Sequence, residues 1–354
     1  MTSIAEGVAA AAPSAPLPTG TGRLEHAWLG SFGLVDGGTL PELVVAYRHD
    51  GPPPGAAPQV VVVHALTGSA DAAGDWWSPL IGPGRALDTT HIGVLGANPL
   101  GGRYGTTGPT SIDPRTGRPY GRDFPAITTR DQAAAQWALL DALGIDQVAL
   151  VIGGSLGGMV ALETALLRPA SVDHVMAIAA PAATGALAVA WNHLQVRLID
   201  RLGAEGLALA RQLAMTTYRS ETDFDERFGR DREPDGQPSI VSYLEHQGRK
   251  LVDRFDPATY RVLARAMDRH DVGATRGGLR PALGALAAGG TRLTGVGIEG
   301  DILYGPDQVG ALVDAAIDVG VDARYRELRS TKGHDAFLVE WDQLSTLLEA
   351  AHAR

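Results

Sequence analysis

Short apolar runs alternate with amphipathic stretches along most of this chain, and the alternation predicts its fold. GTLPELVVAYRHDG suggests early strands, and APQVVVVHALTGSA follows as a β-branched run ending in a polar, glycine-bearing loop, which predicts a buried central strand. Residues 98–125 are crowded with Gly, Pro, Ser and Thr, and a connection this long in a compact domain predicts an ordered functional loop. A helix comes next, with Thr128 or Thr129 as N-cap and Asp131 in the first turn. Ala133, Trp137, Leu140 and Leu143 share one face of it, and Gly144 closes it. VALVIGGSLGGMVALETALLRP then switches from a strand run to a helical period through two glycine pairs around Ser155, and VDHVMAIAAP supplies another strand.

From about residue 185 to 285 the strand runs stop, and amphipathic segments such as GLALARQLAMTTY and SIVSYLEHQGRKLVDRF predict a helical insertion. Strand and helix alternate again in TRLTGVGIEG, DQVGALVDAAIDVG and DARYREL, with a terminal helix expected from Asp335 onward. The whole pattern predicts an α/β fold, a mostly parallel central sheet with helices on both faces and an inserted helical cap. Residues 1–22 are expected to be a loose tail, 23–184 and 289–354 the two parts of the core, and 185–288 the cap. No internal repeat interrupts this scheme.

Composition narrows the function. The chain has 354 residues, 45% of them hydrophobic, enough to bury a large core. Its net charge of −10 disfavours nonspecific attraction to nucleic acid or anionic membrane. Cysteine is absent, which excludes disulfides, thiolate metal sites and a cysteine nucleophile. The Ala/Pro-rich start makes a poor signal peptide, and no run approaches the roughly 20 apolar residues of a membrane span, so a cytoplasmic enzyme is expected. No His/Asp/Glu cluster has metal-ligand spacing.

The chemistry gathers around Gly153-Gly154-Ser155-Leu156-Gly157, a G-x-S-x-G motif between a predicted strand and helix, where a sharp turn would lift the serine hydroxyl above the sheet. A glycine-rich turn of this kind can also be tight packing or a phosphate cradle. The later residues decide for a nucleophile. Asp301 follows one predicted strand and His334 the next, in the chain order Ser, acid, His of an α/β hydrolase. Asp307 and Asp314 compete as the acid but fall in or before a helix. Serine needs an imidazole to take its proton, and the acid fixes the imidazole's tautomer. The Leu156 and Leu66 backbone N–H groups are the expected oxyanion donors, and His64 is a rival base better placed to support the oxyanion loop.

Beyond the elbow, HALTGSA, GDWWSPLIGPGRALDT, NPLGGRYGTTGPTSIDPRTGRPYGRDFPAIT, IGGSLGGM, AWNHLQ, TTYRSE, SYLEHQGRKLVDRFDPATY, GDILYGP and GHDAF together resemble the homoserine O-acyltransferase family of the α/β-hydrolase superfamily, over roughly residues 40–340. The resemblance implies transfer of an acyl group from acyl-CoA, bound as cosubstrate with no resident cofactor, to an amino-acid hydroxyl in methionine biosynthesis. Ser155 would carry the acyl group in a ping-pong scheme, and Asp335 would take the acceptor's ammonium unless it merely caps the terminal helix. After AWNHLQ the family carries an arginine, where this chain has Val196; Arg197 is next and is the candidate replacement. Homoserine with acetyl-CoA is the first choice. Serine as acceptor, succinyl as donor and water as acceptor stay open, and a noncatalytic binding protein would be expected to lack part of the triad. The resemblance also suggests a homodimer through the cap.

Overall fold

The computed structural model describes residues 16–352, so residues 1–15 of the expected tail lie outside the described residues. Eight strands form the central sheet: β1 (Leu24–Trp28), β2 (Val44–Asp50), β3 (Gln59–Val63), β4 (Gly93–Ala97), β5 (Leu150–Gly154), β6 (His174–Ile178), β7 (Arg292–Ile298) and β8 (Ala323–Leu328). Their spatial order is β1-β2-β4-β3-β5-β6-β7-β8. Only β2 runs against the others, pairing antiparallel with both β1 and β4. Strands β3 to β6 are buried along their whole length, as parallel strands covered on both faces must be.

Alternation within each strand feeds two separate apolar layers. Val61 and Val63 enter one with Leu95 and Val151, while Val60 and Val62 enter the other with Val94 and Ile152. The first layer is closed by helices α1 (Thr129–Ala142) and α2 (Leu156–Leu167), and the second by Trp77, Leu80 and the terminal helix α10 (Trp341–His352).

Between β6 and β7 come α3 (Ala186–Leu202), α4 (Ala204–Tyr218), α5 (Glu221–Arg227), α6 (Ser239–Val252) and α7 (Pro257–Asp268), of which α3, α4, α6 and α7 pack chiefly on one another. The next helix, α8 (Leu279–Gly289), packs instead against α2 and against α9 (Pro306–Ile317), as a crossover helix of the sheet. No helix among the described residues is long and apolar enough to cross a membrane.

Two strands escaped the pattern of hydrophobic positions. LEHAW at β1 is a mostly exposed edge, and GVLGA at β4 is glycine-rich because a Cβ at Gly96 would collide with the Ala70 carbonyl oxygen. The terminal helix also starts later than expected. Gly333–Leu338 forms a tight helical turn of its own, and α10 begins only at Trp341. Gly333 has φ +66°, and a side chain there would strike the Ser220 backbone nitrogen at 2.7 Å, so the chain must turn sharply before it can resume a helix.

The start of α1 shows how one polar residue locks two elements. Thr128 accepts from Asp131 N–H at 3.1 Å, Asp131 accepts from Thr128 N–H at 2.7 Å, and its other oxygen takes the Val35 N–H at 2.6 Å. Asp131 is buried, so removing its carboxylate strands two amide donors. Asp131→Ala is expected to lower stability by about 2 kcal/mol, read as a lower urea midpoint at unchanged m-value.

Candidate active site

The elbow is built by steric necessity. Ser155, at the junction of β5 and α2, sits at φ 57° and ψ −125°, a conformation L-residues rarely adopt. Its N–H donates to the Ile178 carbonyl on β6 at 2.9 Å, which fixes the turn to the neighbouring strand. A Cβ at Gly157 would run into the Val63 carbonyl oxygen, and one at Gly154 would meet the Phe337 ring at 2.5 Å. The glycines around Ser155 thus let β3 and the histidine-bearing turn approach the serine closely.

Asp301 stands three residues past the end of β7, and His334 lies in the turn after β8. The parallel register pairs Ile298 with Leu328, so both loops leave the same carboxyl edge of the sheet as Ser155. His334 Nδ1 and Asp301 Oδ2 are 2.7 Å apart, and the other carboxylate oxygen accepts from the Leu303 and Tyr304 N–H groups at 2.8 and 3.1 Å. An ionised aspartate only accepts, so Nδ1 carries the proton and Nε2 is left with its lone pair. Nε2 is buried and, among the described residues, has no hydrogen-bond partner. Ser155 and His334 line one cavity of about 690 Å³, with Leu66 on its wall.

The rings of Tyr304, Tyr218 and Phe337 surround His334 at centroid distances of 5.6, 5.8 and 5.8 Å. Burial among them lowers the imidazole's pKa, but the charge of Asp301, its hydrogen bond and the charge of Asp335 outweigh burial and raise it above 6.5. His64 has the opposite balance. Burial pushes it down to about 4, despite contacts of its ring nitrogens with the Ala65 carbonyl at 2.7 Å and Asn98 Oδ1 at 3.2 Å. It does not line the cavity, whereas Asn98 Oδ1 also accepts from Ala70 N–H at 2.7 Å and so holds the 65–70 loop. Among the described residues Leu66 N–H donates to no protein acceptor, and Leu156 N–H opens α2, where a helix leaves its first amides without intrahelical partners. One such donor follows Ser155 directly, and the other belongs to a residue on the wall of the cavity that Ser155 lines.

A family model described as the alpha/beta hydrolase fold matches residues 58–239. A homoserine O-acetyltransferase of Thermus thermophilus is 45% identical over 344 residues, spanning 89% of this chain and 87% of its own. The chain belongs to the homoserine O-acetyltransferase family. Homoserine O-acetyltransferase from Staphylococcus aureus has the same fold at TM-score 0.80 and 30% identity, over 94% of this chain and 95% of that one. Esterase E22, with TM-score 0.84 over 93% of this chain and 99% of its own, is 23% identical and shares the fold alone.

The residues expected from the family resemblance fall in different places. Asp335 caps no helix, since α10 starts six residues later; its carboxylate lines the cavity beside His334. Arg197 is exposed on α3 and is not among the cavity's side chains, while Val196 is fully buried. One residue turns a helical side chain by about 100°, so the arginine cannot share the valine's direction. Residues that sequence reading passed over take its place. Arg211 and Tyr218 of α4, seven residues apart and so on one helix face, both line the cavity, with the guanidinium 5.3 Å from the ring centroid. An arginine inside the apolar run GLALARQLAM was the available signal. Arg254, after α6, donates to the Thr67 carbonyl at 2.6 Å and ties the helical layer to the loop bearing Leu66. Its neighbour Tyr104, from the long loop after Asn98, donates back to the Arg254 carbonyl at 3.1 Å.

Only the neutral imidazole can take a serine proton, so a raised His334 pKa delays the base's appearance as pH rises. Phosphonylation of Ser155 by a small fluorophosphonate, followed by intact mass, is expected to speed up with pH through an apparent pKa above 6.5. Asp335→Asn should move that limb to lower pH. A wild-type limb at or below 6.5 would mean that burial dominates.

Proposed function

We propose that this protein is an acyl-CoA-dependent O-acyltransferase, with acetyl-CoA and L-homoserine as donor and acceptor, working through an acyl-Ser155 intermediate. His334 Nε2 removes the Ser155 proton as Oγ attacks the thioester carbonyl, and the Leu66 and Leu156 N–H groups hold the oxyanion. As that intermediate collapses, the proton passes to the departing CoA sulfur. In the second half the same nitrogen takes the proton of the acceptor hydroxyl as it attacks the acyl ester, and returns it to Ser155 Oγ as that ester bond breaks. Asp301 keeps the imidazole in the required tautomer and stabilises the imidazolium in both halves.

A pair of opposite charges in the cavity carries this reading over simple ester hydrolysis. Arg211 makes no ion pair among the described residues, and Asp335 lines the same cavity. Together they suit the carboxylate and the ammonium of a free amino acid, which would present its side-chain hydroxyl between them. Such an acceptor and acyl-CoA are small-molecule substrates, and the reaction is assigned to the cytoplasm. The assay incubates the protein with acetyl-CoA or succinyl-CoA and L-homoserine or L-serine, following thiol release and product mass. Acetyl-CoA with homoserine should give the fastest acceptor-stimulated release, and Arg211→Met should raise the acceptor KM by about tenfold or more with little change for acyl-CoA. Thiol release that neither amino acid stimulates would leave water as the acceptor.

The outer face of α3 supports the homodimer. Leu187, Leu194 and Leu202 recur at helical spacing and remain 61%, 53% and 45% exposed. Light scattering at micromolar concentration should give twice the chain mass. Leu194→Glu should give the monomer.

A further inference from the structure

The corner between α4 and α5 holds a buried charge cluster that the acyl-transfer steps do not use. Asp223, in the first turn of α5, has a fully buried side chain surrounded by three cations. Lys332 Nζ donates to its Oδ1 at 2.7 Å, while Arg219 and Arg227 approach its Oδ2 at 3.6 Å each. Arg219 is shared. Its Nη1 faces Asp223, and its Nε lies 3.4 Å from Asp335 Oδ2 without forming a hydrogen bond. One guanidinium therefore sits between a buried carboxylate and the cavity carboxylate beside His334.

The same corner is fastened to the histidine loop at two further points. Ser220 Oγ donates to the Thr331 carbonyl, and the backbone of Arg219 and Ser220 packs so closely on Gly333 that no side chain fits there. Arg219 thus has little freedom to move as a whole, and how its charge is shared between two acids is set by how near each stands.

We infer that Asp223 is a positioning residue for the acceptor half-reaction, holding Arg219 short of full pairing with Asp335 so that Asp335 can take the acceptor's ammonium. The inference rests on the role given to Asp335 under the proposed function. Without the Asp223 charge, Arg219 closes on Asp335 and competes with the ammonium. The acyl-CoA half-reaction does not use that contact, and at a pH where His334 is already neutral it is left as it was.

Steady-state kinetics with acetyl-CoA and whichever of homoserine and serine stimulates thiol release provides the test. At a pH above the His334 limb, where the imidazole is neutral in either case, Asp223→Asn should raise the acceptor KM about fivefold, with the KM for acetyl-CoA and the rate of acyl-enzyme formation by intact mass unchanged. Adding Arg219→Met to that variant should return the acceptor KM to the wild-type value or below it. A loosened corner would instead depress both half-reactions and resist rescue, which would overturn the inference. Should Asp223→Asn fail to fold, Arg219→Met alone serves, because Asp223 keeps Lys332 and Arg227; its acceptor KM should fall, and a rise would overturn the inference. Asp335→Asn separates the two levels. If it leaves the acceptor KM unchanged, the role of Asp335 fails and the inference with it; if it raises that KM while Asp223→Asn does not, only the inference fails.

Discussion

A carboxylate whose side chain is fully buried survives only if its lone pairs are taken up, and at Asp301 that requirement organises the site. Two backbone amides hold one oxygen and the His334 ring holds the other, so the loops after β7 and β8 are fixed to each other through one polar contact. The histidine so placed needs walls, and Tyr218, Tyr304 and Phe337 provide them. Phe337 in turn occupies the space a side chain at position 154 would need, so the glycine before the nucleophile follows from the packing of the histidine. The elbow and the acid–histidine pair are one steric arrangement, reached from two ends of the chain.

The helical layer completes that arrangement. Tyr218 ends α4 against the imidazole, Arg254 reaches from beyond α6 to the Thr67 carbonyl, and Ser220 and Asp223 grip the loop that carries His334. Helices α4 and α5 and the residue Arg254 beyond α6 therefore touch both the loop that carries Leu66 and the loop that carries His334. Any displacement of this layer would disturb the imidazole and the Leu66 loop together. This explains why a helical insertion far in sequence from Ser155 supplies so much of the cavity's polar lining.

What was legible in the sequence was what repeats with a period or must occupy a stereotyped turn. The buried parallel strands, the α1 cap at Thr128 and Asp131, and the Ser, Asp, His order each leave a local signature, and the structure brings Ser155 and His334 to one cavity with Asp301 against the imidazole. Edge strand β1 left none, because mostly exposed LEHAW has no apolar alternation, and β4 was hidden by two glycines, Gly93 against the Gln59 side chain and Gly96 against the Ala70 carbonyl. The polar lining was hardest to see. Arg211 and Tyr218 lie on a helix, and Arg254 just past the end of another, whose amphipathic patterns say only that one side faces inward, and nothing local distinguishes inward to apolar core from inward to a cavity. Arg197 failed for the converse reason, since a neighbouring position in a helix looks equivalent in sequence and is not equivalent in space.

The sheet and the elbow leave the acceptor undecided, since one fold hosts many chemistries and function resides in the site built on it. An acyl-serine in a cavity of about 690 Å³ is not protected from water by lack of room. Selectivity for an amino-acid hydroxyl must then come from holding it near the acyl carbon long enough to outcompete water, and effective molarities of oriented groups make that possible. A guanidinium on α4 and a carboxylate one residue past the histidine can fix both ends of an amino acid while leaving its hydroxyl free. That requirement makes the charge on Asp335 as consequential as its position, because a carboxylate already neutralised by its neighbouring arginine would hold an ammonium poorly and surrender the acyl group to water.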